Sequence, residues 1–238
     1  MMGDMNISLP SIEEQQHIVN TIGSIDDLIE KNAKTIDLIS QYVMYQFCLL
    51  YDGKKEEDEL GNHCSIYLGG TPSRDNPNYW NGNTPWINSG EINKKAILEA
   101  TEYITELGLK KSATKLMKKD TIVLAITGAT LGQVSVLKID CCANQSVVGI
   151  EPSNSIPYEY LRPLIKYKIN HLVNMQTGGA QQHINKDNVS SLPVYVPSRH
   201  EMTLYVAKVK PLLDEEERLL KLNKVLFKAK QKLLQKYF

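Results

Sequence analysis

Cysteine is scarce: Cys48, Cys64, Cys141 and Cys142 are the only four in 238 residues, with no C-x-x-C pair. That excludes a disulfide framework and a zinc-binding spacing, and reads as free thiols in a reducing cytosol. Histidine is equally thin. His17, His63, His171, His183 and His200 fall in no metal-ligand pattern. No apolar run approaches the length needed to cross a bilayer, and Met1-Met2-Gly3-Asp4 has neither the basic nor the apolar part of a signal peptide. A cytoplasmic protein without membrane contact is expected. Net charge is also missing, with 27 Lys and Arg against 27 Asp and Glu, so bulk charge selects no partner class. Between residues 60 and 195 thirteen basic residues face ten acidic ones, a mild excess that permits contact with DNA without announcing it.

Signatures of chemistry are absent as well. Gly128-Ala129-Thr130-Leu131-Gly132-Gln133 resembles a phosphate loop but lacks the Lys-Ser/Thr that grips phosphate and magnesium, so a turn between two strands is the better account. Asn76-Pro77-Asn78-Tyr79 is similar to the Asn-Pro-Pro-Tyr motif of amino-methyltransferases, but without its second proline or a Gly-x-Gly cofactor site. No Ser/His/Asp or paired-carboxylate arrangement can be argued. Nothing in the chain argues for an enzyme.

What the chain does have is a repeat. Ile7-Ser8-Leu9-Pro10-Ser11-Ile12-Glu13-Glu14 and Val194-Tyr195-Val196-Pro197-Ser198-Arg199-His200-Glu201 share one pattern: apolar, any, apolar, Pro, Ser, any, any, Glu. Ser-x-x-Glu is a capping box, in which serine and glutamate satisfy each other's backbone N–H at a helix start. The proline before it forces an extended approach. Each copy therefore marks a strand giving way to a helix.

The first helix is expected over 11–51. Ile18, Ile22, Ile25, Ile29, Asn32, Ile36, Ile39 and Val43 fall alternately four and three apart, the seam of a coiled coil. Such a helix, roughly 60 Å long at 1.5 Å per residue, needs a partner helix. The second helix, over 197–238, offers Leu213, Leu220, Asn223, Phe227 and Leu234 on a wide apolar stripe, with Pro211 predicting a kink or irregular first turns. Asn223 sits on this stripe as Asn32 sits on the first seam, which makes a contact between them attractive.

Residues 52–59 are polar and read as a linker, and 1–10 as the remnant of a strand that ends a domain. From 60 to 196 short β-branched runs alternate with turns: strands at Ile66–Leu68, Pro85–Ile87, Thr121–Thr127, Gln133–Leu137, Ser146–Ile150 and Leu192–Val196. Short helices start at Thr105 and Asn185, and a longer one runs from Pro157 to about Asn174. The fold class is α+β: one mixed α/β domain plus two long helices forming an antiparallel coiled coil.

Three stretches of this domain supply what duplex DNA needs, namely glycine for close backbone approach, small polar donors, and Asn, Gln, Arg or Lys for base edges and phosphates. They are Gly69–Tyr79, Asn88–Lys95 and Gln176–Lys186. Candidate contact residues are Thr71, Ser73, Arg74, Asn76, Asn78, Asn88, Lys94, Lys95, Gln181, Gln182 and Lys186. Trp80 and Trp86 are read as core anchors beneath these loops.

The ordered set Gly69-Gly70-Thr71-Pro72-Ser73, Tyr79-Trp80-Asn81-Gly82, Pro85-Trp86-Ile87, Gly128-Ala129-Thr130-Leu131-Gly132, Ala143-Asn144-Gln145 and Gly178-Gly179-Ala180-Gln181, with the two Pro-Ser-x-x-Glu stretches, resembles the specificity subunit of type I restriction–modification enzymes. The likeness covers nearly the whole chain, and departs at Met202, where glutamine is usual. It implies a non-catalytic subunit whose target-recognition domain reads one half of a bipartite site in double-stranded DNA. It further implies that the helices separate two such domains and dock modification (methyltransferase) subunits, with restriction subunits joining for cleavage. It also implies that this subunit binds no cofactor directly and that S-adenosylmethionine sits on the partner methyltransferase subunit. A full-length member carries two recognition domains, so this chain resembles a half subunit and a homodimer is expected, with helix seams shared between symmetry mates.

Overall fold

A computed structural model describes residues 10–174 and 184–237. It divides into two compact units. One comprises the described residues up to 42 together with those from 212 onward, and the other is Val43–Pro211. Two long helices, α1 (Ile12–Tyr51) and α5 (Arg199–Tyr237), contribute to both.

The first unit is an antiparallel helix pair. Asp26 meets Lys230, Asn32 meets Asn223 and Ser40 meets Glu216, so one helix ascends as the other descends. On α1 the 3.5-residue period turns its series inward: Ile18, Asn32, Ile36 and Ile39 are buried, and Ile22, Ile25 and Ile29 half-buried. That seam packs against α5 of the same chain. On α5 the inward residues are Leu213, Glu216, Leu219, Leu220, Asn223, Leu226, Lys230 and Leu233. Phe227 and Leu234, expected on this seam, are instead 55% and 37% exposed. The sequence offers adjacent apolar pairs at 219/220, 226/227 and 233/234, about 100° apart on a helix. The polar partners across the seam decide between them: with Glu216 and Asn223 facing α1, Leu226 and Leu233 turn in and Phe227 and Leu234 out, while Leu219 is buried and Leu220 half-buried. Pro211 does not interrupt α5, which is one continuous helix.

Among the described residues the second unit is built from three small sheets and three further α-helices. Four antiparallel strands lie in the order β2 (Ser65–Leu68), β8 (Val147–Glu151), β5 (Ile122–Ala125) and β6 (Val134–Val136). Ile122-Val123-Leu124-Ala125 is buried on both faces, as a continuous apolar run in a central strand should be. Gly128–Gly132 is the turn between β5 and β6, as its sequence suggested. The second sheet has β3 (Trp80–Ile87) at its centre, antiparallel to β4 (Glu102–Ile104) and parallel to β7 (Cys142–Ala143). A third, two-stranded sheet pairs β1 (Asp58–Glu59), read from sequence as the end of a linker, with β9 (Pro193–Val194). Helices α2 (Glu106–Lys110), α3 (Tyr158–Asn174) and α4 (Lys186–Ser190) complete it.

Ile87, Ile92, Ile97, Met117, Val123, Leu137, Cys141 and Val147 fill the main core. Trp86, Ile104 and Cys142 form a smaller one, against which Trp80 packs. An aromatic cluster holds the last turns of α1 and the first turns of α5 to α3. Phe47 stacks on Tyr51 at 4.8 Å and lies 5.3 Å from Tyr160, whose ring meets Tyr205 edge-on at 6.0 Å. Tyr51 also donates to Glu56, which pairs with Lys168.

Candidate nucleic-acid interface

Strands β3 and β7 run parallel, with Trp86 opposite Cys142 and Ile87 opposite Ala143, so the segments that leave them leave side by side. Asn88 follows one and Asn144 the other, joined by the bond from the Asn144 N–H to the Ile87 carbonyl. Gly69-Gly70 is threaded against the same edge, where the Gly69 and Gly70 N–H groups donate to Val147 and Ala143. A Cβ on Gly69 would stand 2.1 Å from the Asn144 carbonyl oxygen and one on Gly70 2.5 Å from the Thr114 nitrogen, so neither position tolerates a side chain. The third candidate stretch ends here too: Ile184 donates to Ile126, which donates to Ser146. The turn Asn144-Gln145-Ser146 thus touches the first candidate loop through Thr71 and lies beside the start of the second, while of the third only 184–186 belong to the described residues. Sequence reasoning did not assign it a contact role, although Ala143-Asn144-Gln145 was visible as a motif.

The individual residues sort into distinct circumstances. Thr71 is exposed and donates to Gln145 at 2.5 Å. Asn76 and Asn88 spend their carboxamide oxygens locally, accepting from the Asn78 N–H at 3.1 Å and the Gly90 N–H at 2.8 Å, and so shape short 3₁₀ turns. The Ser73 and Asn78 carbonyls accept from the Trp80 indole and the Thr105 hydroxyl. Lys94 is exposed but reaches back to the buried Glu91 carboxylate at 3.4 Å, where Thr101 also donates. Lys95 and Lys186 are exposed. Gln181 and Gln182 lie outside the described residues. Arg74 is fixed most firmly: its terminal nitrogens donate to Glu102 at 2.5 and 2.9 Å, and its guanidinium lies 3.6 Å over the Trp80 ring. Hydrogen bonds from that fork hold the Glu102 carboxyl below its ordinary range.

Among the described residues no group of three or more His, Cys, Asp or Glu could hold a metal ion, and no helix is long and apolar enough to cross a membrane. One Ser–His–Asp chain does form, from residues too far apart in sequence to suggest it. Ser155 Oγ lies 3.2 Å from His63 Nδ1, and His63 Nε2 lies 2.6 Å from Asp58. Asp58 also accepts from Asn62 and Ser155 also bonds Ser153, so the chain ties β1 to the loop before α3. Asn76-Pro77-Asn78-Tyr79 is a capped 3₁₀ turn.

A loop cluster of small polar and basic side chains thus stands on an α+β unit joined to two capped helices. The comparisons make this concrete. The family model described as Type I restriction modification DNA specificity domain matches residues 53–224, and the chain belongs to that family. It is 28% identical over 169 residues to the specificity subunit of the type I restriction enzyme EcoR124I/EcoR124II of Escherichia coli, across 68% of this chain and 42% of that one. It is 26% identical over 193 residues to the MjaIX specificity subunit of Methanocaldococcus jannaschii, across 79% of this chain and 44% of that one. The chain therefore spans less than half the length of these curated relatives. The crystal structure of the type I restriction–modification S subunit from M. genitalium shares the fold, with a TM-score of 0.68 at 18% identity over 96% of this chain and 61% of that one.

Proposed function

We propose that this chain recognises DNA sequence for a type I restriction–modification complex, reading one half-site of a bipartite target with its α+β unit. It performs no chemistry itself. Methyltransferase subunits carrying S-adenosylmethionine dock on its long helices, and a restriction subunit joins for cleavage. What supports the reading is the juxtaposition of the Gly69–Tyr79 loop and the start of the Asn88–Lys95 loop at the Asn144-Gln145-Ser146 turn, beside the parallel pair β3 and β7. A gel-shift series with the methyltransferase complex tests it. Lys94→Glu with Lys95→Glu is expected to weaken binding on all sequences alike, and to reduce the salt dependence by about one unit of slope for each phosphate no longer neutralised. Unchanged affinity and slope would remove these loops from the interface and favour an adaptor without DNA contact. Methyl transfer by the purified chain alone would establish an enzyme instead.

Self-association has its own support. Leu38, Tyr42, Tyr45 and Leu49 stand exposed at i, i+4, i+7 and i+11 on α1, away from its seam. Read in either direction the order is Leu-Tyr-Tyr-Leu, so a two-fold antiparallel contact sets leucine on leucine and tyrosine on tyrosine. This outer stripe offers a surface through which two copies pair. Light scattering at micromolar concentration is expected to give a dimer that Tyr42→Lys with Tyr45→Lys converts to monomer. A wild-type monomer contradicts it.

A further inference from the structure

An open pocket of about 460 Å³ on the reading unit is lined by Arg74, Trp80, Asn81, Gly82, Thr101, Glu102 and Tyr103. Its wall is a stack of planes. Trp80 meets Trp86 edge-to-face at 5.2 Å, and the Arg74 guanidinium lies on Trp80. Both indoles are pinned by backbone carbonyls, Trp80 by Ser73 at 3.0 Å and Trp86 by Gly70 at 3.1 Å. The guanidinium is therefore set in one orientation before any ligand arrives, while the Arg74 and Glu102 side chains remain 53% and 33% exposed.

The contact with Glu102 runs through both terminal nitrogens, one N–H on each. It leaves the Nε edge of the guanidinium and its two outer N–H groups for another acceptor, and a lone pair on each carboxylate oxygen for another donor. The pair thus presents donors beside an acceptor in one fixed plane. In the major groove a G·C pair offers the complement, with guanine O6 and N7 as acceptors and cytosine N4 as donor, whereas A·T interposes its donor between two acceptors and ends on a methyl group. A phosphate contact suits the arrangement poorly. The couple has no net charge, and a carboxylate facing the DNA backbone is repelled unless it accepts from a base amine.

We infer that Arg74 and Glu102, aligned by Trp80, form a specificity pocket for one G·C base pair, with Arg74 donating to guanine and Glu102 accepting from cytosine. The inference rests on the DNA-reading role proposed above, and it adds Glu102 and Trp80 to the residues that set the target. The test uses the full chain assembled with its methyltransferase subunits and a library of randomised duplexes, with methylated products sequenced. The wild-type motif is expected to contain an invariant G·C pair. Arg74→Lys, which keeps the charge over Trp80 but loses the fork, and Glu102→Gln should each relax that one position by on the order of tenfold to a hundredfold and leave the others fixed. Trp80 fluorescence melts monitor folding, and Arg74→Lys, retaining the cation on the ring, keeps the test open if Arg74→Ala unfolds. A wild-type motif that both conservative variants leave intact, or an even loss of methylation across all targets, overturns this pocket alone. Absence of any sequence preference in the wild-type complex overturns the DNA-reading role as well.

Discussion

Glu201 shows what one side chain does at a helix start. Its carboxylate accepts from the Ser198 hydroxyl at 2.7 Å and the Ser198 N–H at 2.9 Å, while the Glu201 N–H returns a bond to Ser198 Oγ. The Ser198 hydroxyl, then its backbone N–H, then Lys54 pull the carboxyl from 4.5 down to about 2. A folded pKa below the unfolded one means that the stabilisation is complete above about 4.5 and is lost as pH falls toward 2. Ser198→Ala should return the Glu201 titration toward its ordinary value and cost about 1 kcal/mol. Carbon-detected NMR of the carboxyl and a urea melt check both, and an unmoved titration would count against the cap. Ser11 and Glu14 repeat this geometry at the start of α1. The two copies differ one residue on. Gln15 donates to the Pro10 carbonyl at 2.8 Å, whereas Met202 is buried. Where the first copy has a polar tie, the second has apolar packing.

At the scale of the element, the helix pair is aligned by its polar contacts. Asn32 donates to Asn223 at 2.7 Å in a half-apolar seam, and Asn223 reaches the Ile29 carbonyl. Truncating one partner strands the other, so Asn32→Ala and Asn223→Ala should each cost about 1–3 kcal/mol, and their double mutant less than the sum. A strictly additive cycle in urea melts would contradict the pairing. Leu219→Ala, at a buried position, should cost about 2–5 kcal/mol. Phe227→Ala, on the outside, should change stability by less than about 0.5 kcal/mol. The α1 seam was readable because isoleucine recurs there with a single phase. The α5 seam was not, because adjacent apolar pairs fit two phases and only the cross-helix partners of Glu216 and Asn223 choose between them. Strands showed a parallel contrast. Ile122–Ala125 announces itself by a continuous apolar run, while Glu102–Ile104 and Cys142–Ala143 are two or three residues long and become strands only by pairing with β3.

The whole molecule places its candidate site where several short segments meet. Thr71 and Asn88 are far apart in sequence, and what brings their loops together is the parallel pairing of β3 and β7 and the turn that follows β7. Composition could nominate the loops but not this junction, nor Glu102, whose contribution depends on the fold carrying it to Arg74. Neutral net charge is in keeping with such a reader, since the basic groups are needed on one surface rather than in bulk. The role proposed for this surface is to select the DNA sequence on which a partner acts. The most direct measurement is to produce the chain with its methyltransferase subunits in a host without other methylation and to map every modified base in the genome. The account predicts that modified sites share one interrupted sequence and vanish when this chain is omitted. Methylation without a common sequence, or the same pattern in the chain's absence, would contradict it.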